Sequence, residues 1–171
     1  MGASDIPPFD SSQYPIKDID KLKLGIVKSE WNKEIIDRLT NSCLARFKEL
    51  GINDDQITTL SVPGSFELPW GAKQYITKGG YHGIICFGCV IQGQTKHDDY
   101  INHSVARAIM NMNLAGPIPV LFGVLTTNTM EQALERSGGS RGDKGSECAE
   151  SVLKMISAAE QLRNQKQRIG F

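Results

Sequence analysis

Four short apolar runs punctuate the chain, and between them lie longer segments whose apolar residues recur every three or four positions. The runs are Leu22–Lys28, Ile57–Val62, Gly83–Gly88 and Val120–Leu125. β-Branched and large apolar side chains bounded by glycine, proline or polar residues predict buried strands. The first intervening segment, Glu30–Leu50, places Ile35, Ile36, Leu39, Cys43, Leu44 and Phe47 on one side, with Gly51 as its stop. That spacing predicts an amphipathic helix. Further helices are expected over Glu67–Thr77, from the polar turn after Gly88 to about Asn113, over Met130–Arg136, and over Glu147–Gln165. Between the last two lies a glycine-rich loop, Gly138–Gly145.

Strand and helix alternate throughout, so the expected class is α/β with a four-stranded parallel sheet. Right-handed crossovers lay helices on both faces, a three-layer α/β/α sandwich of the flavodoxin-like kind. The 171 residues suit one such domain, assigned to 21–171. Residues 1–20, polar and carrying Pro7, Pro8 and Pro15, read as an N-terminal arm. Ligands of such sheets bind beyond the carboxyl ends of the strands. There the chain carries Ser29–Asn32, Pro63–Glu67, Cys89–His97 and Phe122–Thr127.

Charge narrows the field. Nineteen basic and nineteen acidic residues leave a formal net charge of zero. That balance gives no electrostatic case for nucleic acid or an anionic membrane as partner. No apolar stretch approaches the ~20 residues of a membrane span and no signal pattern opens the chain, so a cytoplasmic setting is expected. Cys86 and Cys89 form a C-x-x-C pattern, yet residues three apart on a strand face opposite sides, and no second pair completes a zinc site. They read as small buried hydrophobes, and no metal or cofactor is expected.

The strongest chemical signal is Gly88–Tyr100, in which an apolar strand turns through glycine into a polar helix start. Unpaired N–H groups there suit an anion, Thr95 adds a hydroxyl, and His97 places an imidazole in the first helical turn. Trp31, just after the first strand, can stack on a flat heterocycle or simply pack at a corner. In Pro63–Pro69, Ser65 and Glu67 can hydrogen-bond a polyhydroxylated chain or cap the following helix. Arg136, Arg141 and Lys144 offer cations for a phosphate, or a solvated surface.

Together Val62–Pro69, Gly88–His97, Phe122–Thr126 and Glu131–Arg136 resemble the lumazine synthase family. The resemblance implies condensation of 5-amino-6-(D-ribitylamino)uracil with 3,4-dihydroxy-2-butanone 4-phosphate. The product would be 6,7-dimethyl-8-ribityllumazine, the penultimate step of riboflavin synthesis. It implies that Trp31 stacks on the pyrimidine, that Ser65, Phe66 and Glu67 hold the ribityl chain, and that the Cys89, Val90 and Ile91 backbone meets the pyrimidine edge. Gln94, Thr95 and Arg136 match the phosphate site, His97 the general acid/base, Phe122 an aromatic lent by a neighbouring subunit, and Lys144 a nearby cation. The partners implied are two small-molecule substrates, copies of the same chain in a pentamer or a sixty-subunit icosahedral shell, and riboflavin synthase. Gln92 and Asp98 depart from the basic and aromatic residues usual in the family. The competing reading is a non-catalytic flavin-binding, ribityl-ligand-binding or shell-forming protein on the same scaffold.

Overall fold

The computed structural model describes residues 7–167, and its backbone follows the alternation of the sequence. In chain order the elements are β1 (Leu24–Ser29), α1 (Lys33–Glu49), β2 (Ile57–Val62), α2 (Leu68–Lys78), β3 (Gly83–Ile91), α3 (His97–Ala115) and β4 (Val120–Thr127). After these come α4 (Met130–Arg136), a small antiparallel hairpin of β5 (Ser137–Gly139) and β6 (Gly142–Asp143), and α5 (Lys144–Gln167). The four long strands form one parallel sheet in the order β2-β1-β3-β4.

Period-two alternation divides the strand side chains between two cores. On one face Leu24, Ile26, Ile85, Phe87 and Cys89 meet Ile35, Leu39 and Phe47 of α1 and Ala149, Val152 and Leu153 of α5. On the other face Val27, Ile84, Cys86 and Val124 meet Leu68 and Ala72 of α2 and Val105 and Ile109 of α3. The sandwich therefore has three layers, as expected, and Cys86 and Cys89 lie in opposite cores. Each fully buried large side chain in these two cores contributes about 1.5–3 kcal/mol. No helix among the described residues is long and apolar enough to cross a membrane.

Several boundaries differ from those read from sequence. β3 and β4 each run further, because Cys89–Ile91 keep pairing with Leu125–Thr127 after β1 has ended. α1 starts at Lys33, because Asn32 takes a left-handed conformation (φ 56°, ψ 46°). The glycine-rich loop is largely the β5–β6 hairpin, and α5 begins at Lys144. Asp143 Oδ1 accepts from the Gly145 and Ser146 N–H groups, which caps that helix start. Gly145 has no room for a side chain, since a Cβ would stand 2.2 Å from the Leu39 carbonyl oxygen.

The segment from residue 7 to 20, expected as an arm, lies along α5. Glu150 Oε2 accepts from Phe9 N–H (2.8 Å), Glu160 Oε2 accepts from Lys17 N–H (2.9 Å), and Ser157 Oγ donates to the Pro15 carbonyl (2.8 Å). Phe9, Ile16 and Ile19 pack on the α1/α5 core, which is the physical reason the segment is held down.

Candidate active site

The chain leaves β1 for a helix on one face and leaves β3 for a helix on the other, which opens a crevice between their carboxyl ends. Ligands of open α/β sheets bind at this kind of switch point. A cavity of about 610 Å³ lies there, lined by Trp31, Asn32, Gly64, Ser65, Phe66, Glu67, Cys89, Val90, Ile91, His97, Tyr100 and Ile101. Eight of the residues singled out from sequence are thus brought together: Trp31, Ser65, Phe66, Glu67, Cys89, Val90, Ile91 and His97.

Each wall has a local cause. Trp31 follows the last residues of β1 and is 73% exposed, with its indole beside Gly64. Residues Ser65–Glu67 form a single 3-10 turn before α2. That turn lies directly on β3 because Gly88 carries no side chain; a Cβ there would come within 2.6 Å of Ser65 Oγ. Glu67 does cap this turn, accepting from Gly64 N–H through Oε2 at 2.9 Å, while it also lines the cavity. His97 is the first residue of α3 and is solvent-exposed. Tyr100 and Ile101 stand three and four positions on, hence on the same helix face.

Three cavity residues besides Gly64 were given no role from sequence. Tyr100 and Ile101 were legible in principle from the helical spacing after His97. Asn32 was legible only as a residue tolerant of positive φ at a helix entry. Its side chain does not cap α1; Nδ2 donates instead to the Cys89 carbonyl at 2.9 Å.

Cys89 is no nucleophile. Burial raises its thiol to about 11, so it stays protonated at neutral pH. Among the described residues no group of three or more His, Cys, Asp or Glu could hold a metal ion.

The other sequence-derived residues lie outside this cavity. Gln94 and Thr95 are exposed in the turn between β3 and α3, whose start is tied down by Gln92 N–H donating to the Thr127 carbonyl (2.8 Å). Phe122 is half-buried against the α2/α3 core. Arg136 and Lys144 converge on Glu147. Arg136 Nη2 donates to Oε2 at 3.2 Å, and Nη1 lies 3.2 Å from Oε1 as an ionic contact without hydrogen-bond geometry. Lys144 Nζ stands 3.5 Å from Oε2, and Arg136 also donates to the Arg141 carbonyl.

The family model described as 6,7-dimethyl-8-ribityllumazine synthase matches residues 21–160. The chain is similar to proteins of that name from Phocaeicola vulgatus (40% identity, covering 91% of each chain) and Bacteroides fragilis (45%, covering 79% of this chain and 94% of that one). A third, from Parabacteroides distasonis, is 38% identical over 86% of this chain and 91% of its own. With sheet order, crevice and motifs in agreement, the chain belongs to the 6,7-dimethyl-8-ribityllumazine synthase family.

Proposed function

We infer that the protein is a transferase that condenses 5-amino-6-(D-ribitylamino)uracil with 3,4-dihydroxy-2-butanone 4-phosphate. The products are 6,7-dimethyl-8-ribityllumazine, phosphate and water, in riboflavin biosynthesis. The observation that carries this reading is the family match across residues 21–160, which spans every segment lining the crevice.

The amine of the pyrimidine attacks the ketone and loses water to give an imine; phosphate is eliminated, and ring closure loses a second water. Each step moves protons, which suits an imidazole at the crevice mouth, so His97 is assigned the general acid/base role. Trp31 is assigned to stack on the pyrimidine, Ser65–Glu67 to hold the ribityl chain, and the Cys89–Ile91 backbone to meet the ring edge. Holding two substrates in one cavity supplies much of the rate enhancement.

The phosphate end is assigned to Gln94, Thr95 and Arg136. Arg136, Lys144 and Phe122 do not line the cavity of their own protomer, which supports a site shared between neighbouring copies. The exposed rings of Trp31, Phe66 (58%) and Tyr100 (72%) support it too, because a second surface or a ligand would cover them. The assembly proposed is a pentamer closed by one heterologous interface repeated by a fixed rotation. The compact, glycine-rich β5–β6 connection between α4 and α5 resembles that of shell-forming members of the family, which supports further assembly into an icosahedral shell. A cytoplasmic location completes the proposal.

Mixing the two substrates with purified protein should produce the absorbance and fluorescence of the lumazine; no lumazine under any condition of pH or substrate excess sinks the activity. Mass measurement in solution tests the assembly separately, and a fully active monomer would sink the shared site.

A further inference from the structure

β3 outlasts its neighbour. The β1–β3 register ends at Lys28 opposite Phe87, while β3 continues to Ile91 along β4. Backbone groups of successive strand residues point to alternate sides. Gln92 N–H turns toward β4, bonding Thr127, so Cys89 and Ile91 direct theirs to the side that β1 has vacated. A strand end without a partner frays unless something else satisfies it.

Asn32 does so. It is one of two non-glycine residues with positive φ among the described residues, and that conformation aims its amide across the crevice rather than down α1. Nδ2 reaches the Cys89 carbonyl at 2.9 Å, over 57 positions of sequence. The bond ties the turn bearing Trp31 to the strand end bearing Ile91, the two walls between which a flat ring would lie.

We propose that Asn32 is a positioning residue: its side-chain amide stands in for the missing strand partner and holds the Cys89–Ile91 edge at a fixed spacing from the Trp31 indole. A heterocycle stacked on Trp31 then finds the Ile91 backbone groups already in register with its own edge. This rests on the substrate reading above for the identity of the ring, although the clamp itself does not.

The test uses two replacements that also tolerate positive φ. Asn32→Asp keeps the shape and loses the donor; Asn32→Gly loses the donor without adding charge. Loss of one hydrogen bond that fixes a binding edge should raise KM for the ribitylaminouracil about tenfold in both variants, with KM for the butanone phosphate within about twofold of the parent. A residue that merely supported the fold would move both KM values together and lower the melting temperature, and that result overturns the proposal, as does an unchanged pyrimidine KM. Hydrogen exchange read on the substrate-free protein should accelerate across residues 88–93 in both variants and not in β2. If the parent makes no lumazine, the substrate reading fails while exchange still decides the clamp: unchanged protection in both variants overturns it.

Discussion

The crevice between β1 and β3 and the basic corner around Glu147 carry parts of one proposed reaction, yet they are built in opposite ways. The crevice is concave and incompletely covered: it presents three exposed aromatic rings, a strand end that β1 has left, and an imidazole on a helix start. The corner is already partly neutralised within the chain, with Arg136 from across a two-stranded hairpin and Lys144 from the same helix sharing the one half-buried carboxylate of Glu147. An aromatic platform facing water gains from whatever covers it. A guanidinium already engaged by a carboxylate gains only the difference between its present partner and a new anion. The crevice should therefore govern the ring-bearing substrate and the proton transfers, and the corner should tune affinity for the phosphate.

The largest expected effect is at the crevice. Removing the proposed proton shuttle in His97→Asn should slow turnover about 10²–10⁴-fold while leaving ligand affinity nearly intact. Single-turnover kinetics with a parallel binding titration checks this, and a fully active variant removes His97 from the mechanism.

Next comes the corner. Arg136→Ala should weaken binding of the butanone phosphate by about 2 kcal/mol, the low end for losing one member of a desolvated charge pair, because Glu147 already offsets part of the charge. Affinity for the ribitylaminouracil should hardly change. The sharper form of the experiment refolds Arg136→Ala together with His97→Asn. Copies that share sites would regenerate some crevices with both residues intact, so activity above that of either variant is expected. A mixture no better than its parts would mean that crevice and corner do not serve one another between copies.

The smallest effect concerns the thiols behind each region. Burial raises Cys89, at the back of the crevice, to about 11, and Cys148, behind the corner, to about 12. For Cys148, Lys144 and Arg136 pull downward but do not overcome burial. A folded-state value raised above the unfolded one means that the unfolded chain releases its proton first. Stability from this source is complete below the unfolded value of about 8.5 and declines as pH rises toward the folded value. Urea midpoints should therefore fall between pH 9 and 11, less steeply in Cys148→Ala. Alkylation mapped by mass spectrometry should reach Cys89 before Cys148 as pH rises; the reverse order would mean that the crevice is the more tightly closed of the two.

What the amino-acid pattern determined by itself was local and periodic. Apolar runs of strand length separated by amphipathic segments dictated the α/β class and the parallel sheet, because burial on two faces and 3.6-residue spacing are written directly in residue order. Val62–Pro69 and Gly88–His97 could be read as ligand-binding turns because each joins a strand end to a helix start within a few positions. Tertiary structure decided whatever depends on relative strand length and long-range approach. β3 runs past Gly88 because β4 continues beside it, not because Cys89–Ile91 differ in character from the residues before them. Asn32 turns left-handed and meets Cys89 only after β1 and β3 are side by side. Glu147 meets Arg136 only once the hairpin brings the start of α5 back to the end of α4, whereas Lys144 reaches it within one turn of α5. Glycine at 138 and 145 marked a loop, whereas packing made Gly145 a close contact with Leu39. Residue order encodes periodicity and propensity, but a hydrogen bond spanning 57 positions exists only when the sheet has fixed both ends in space.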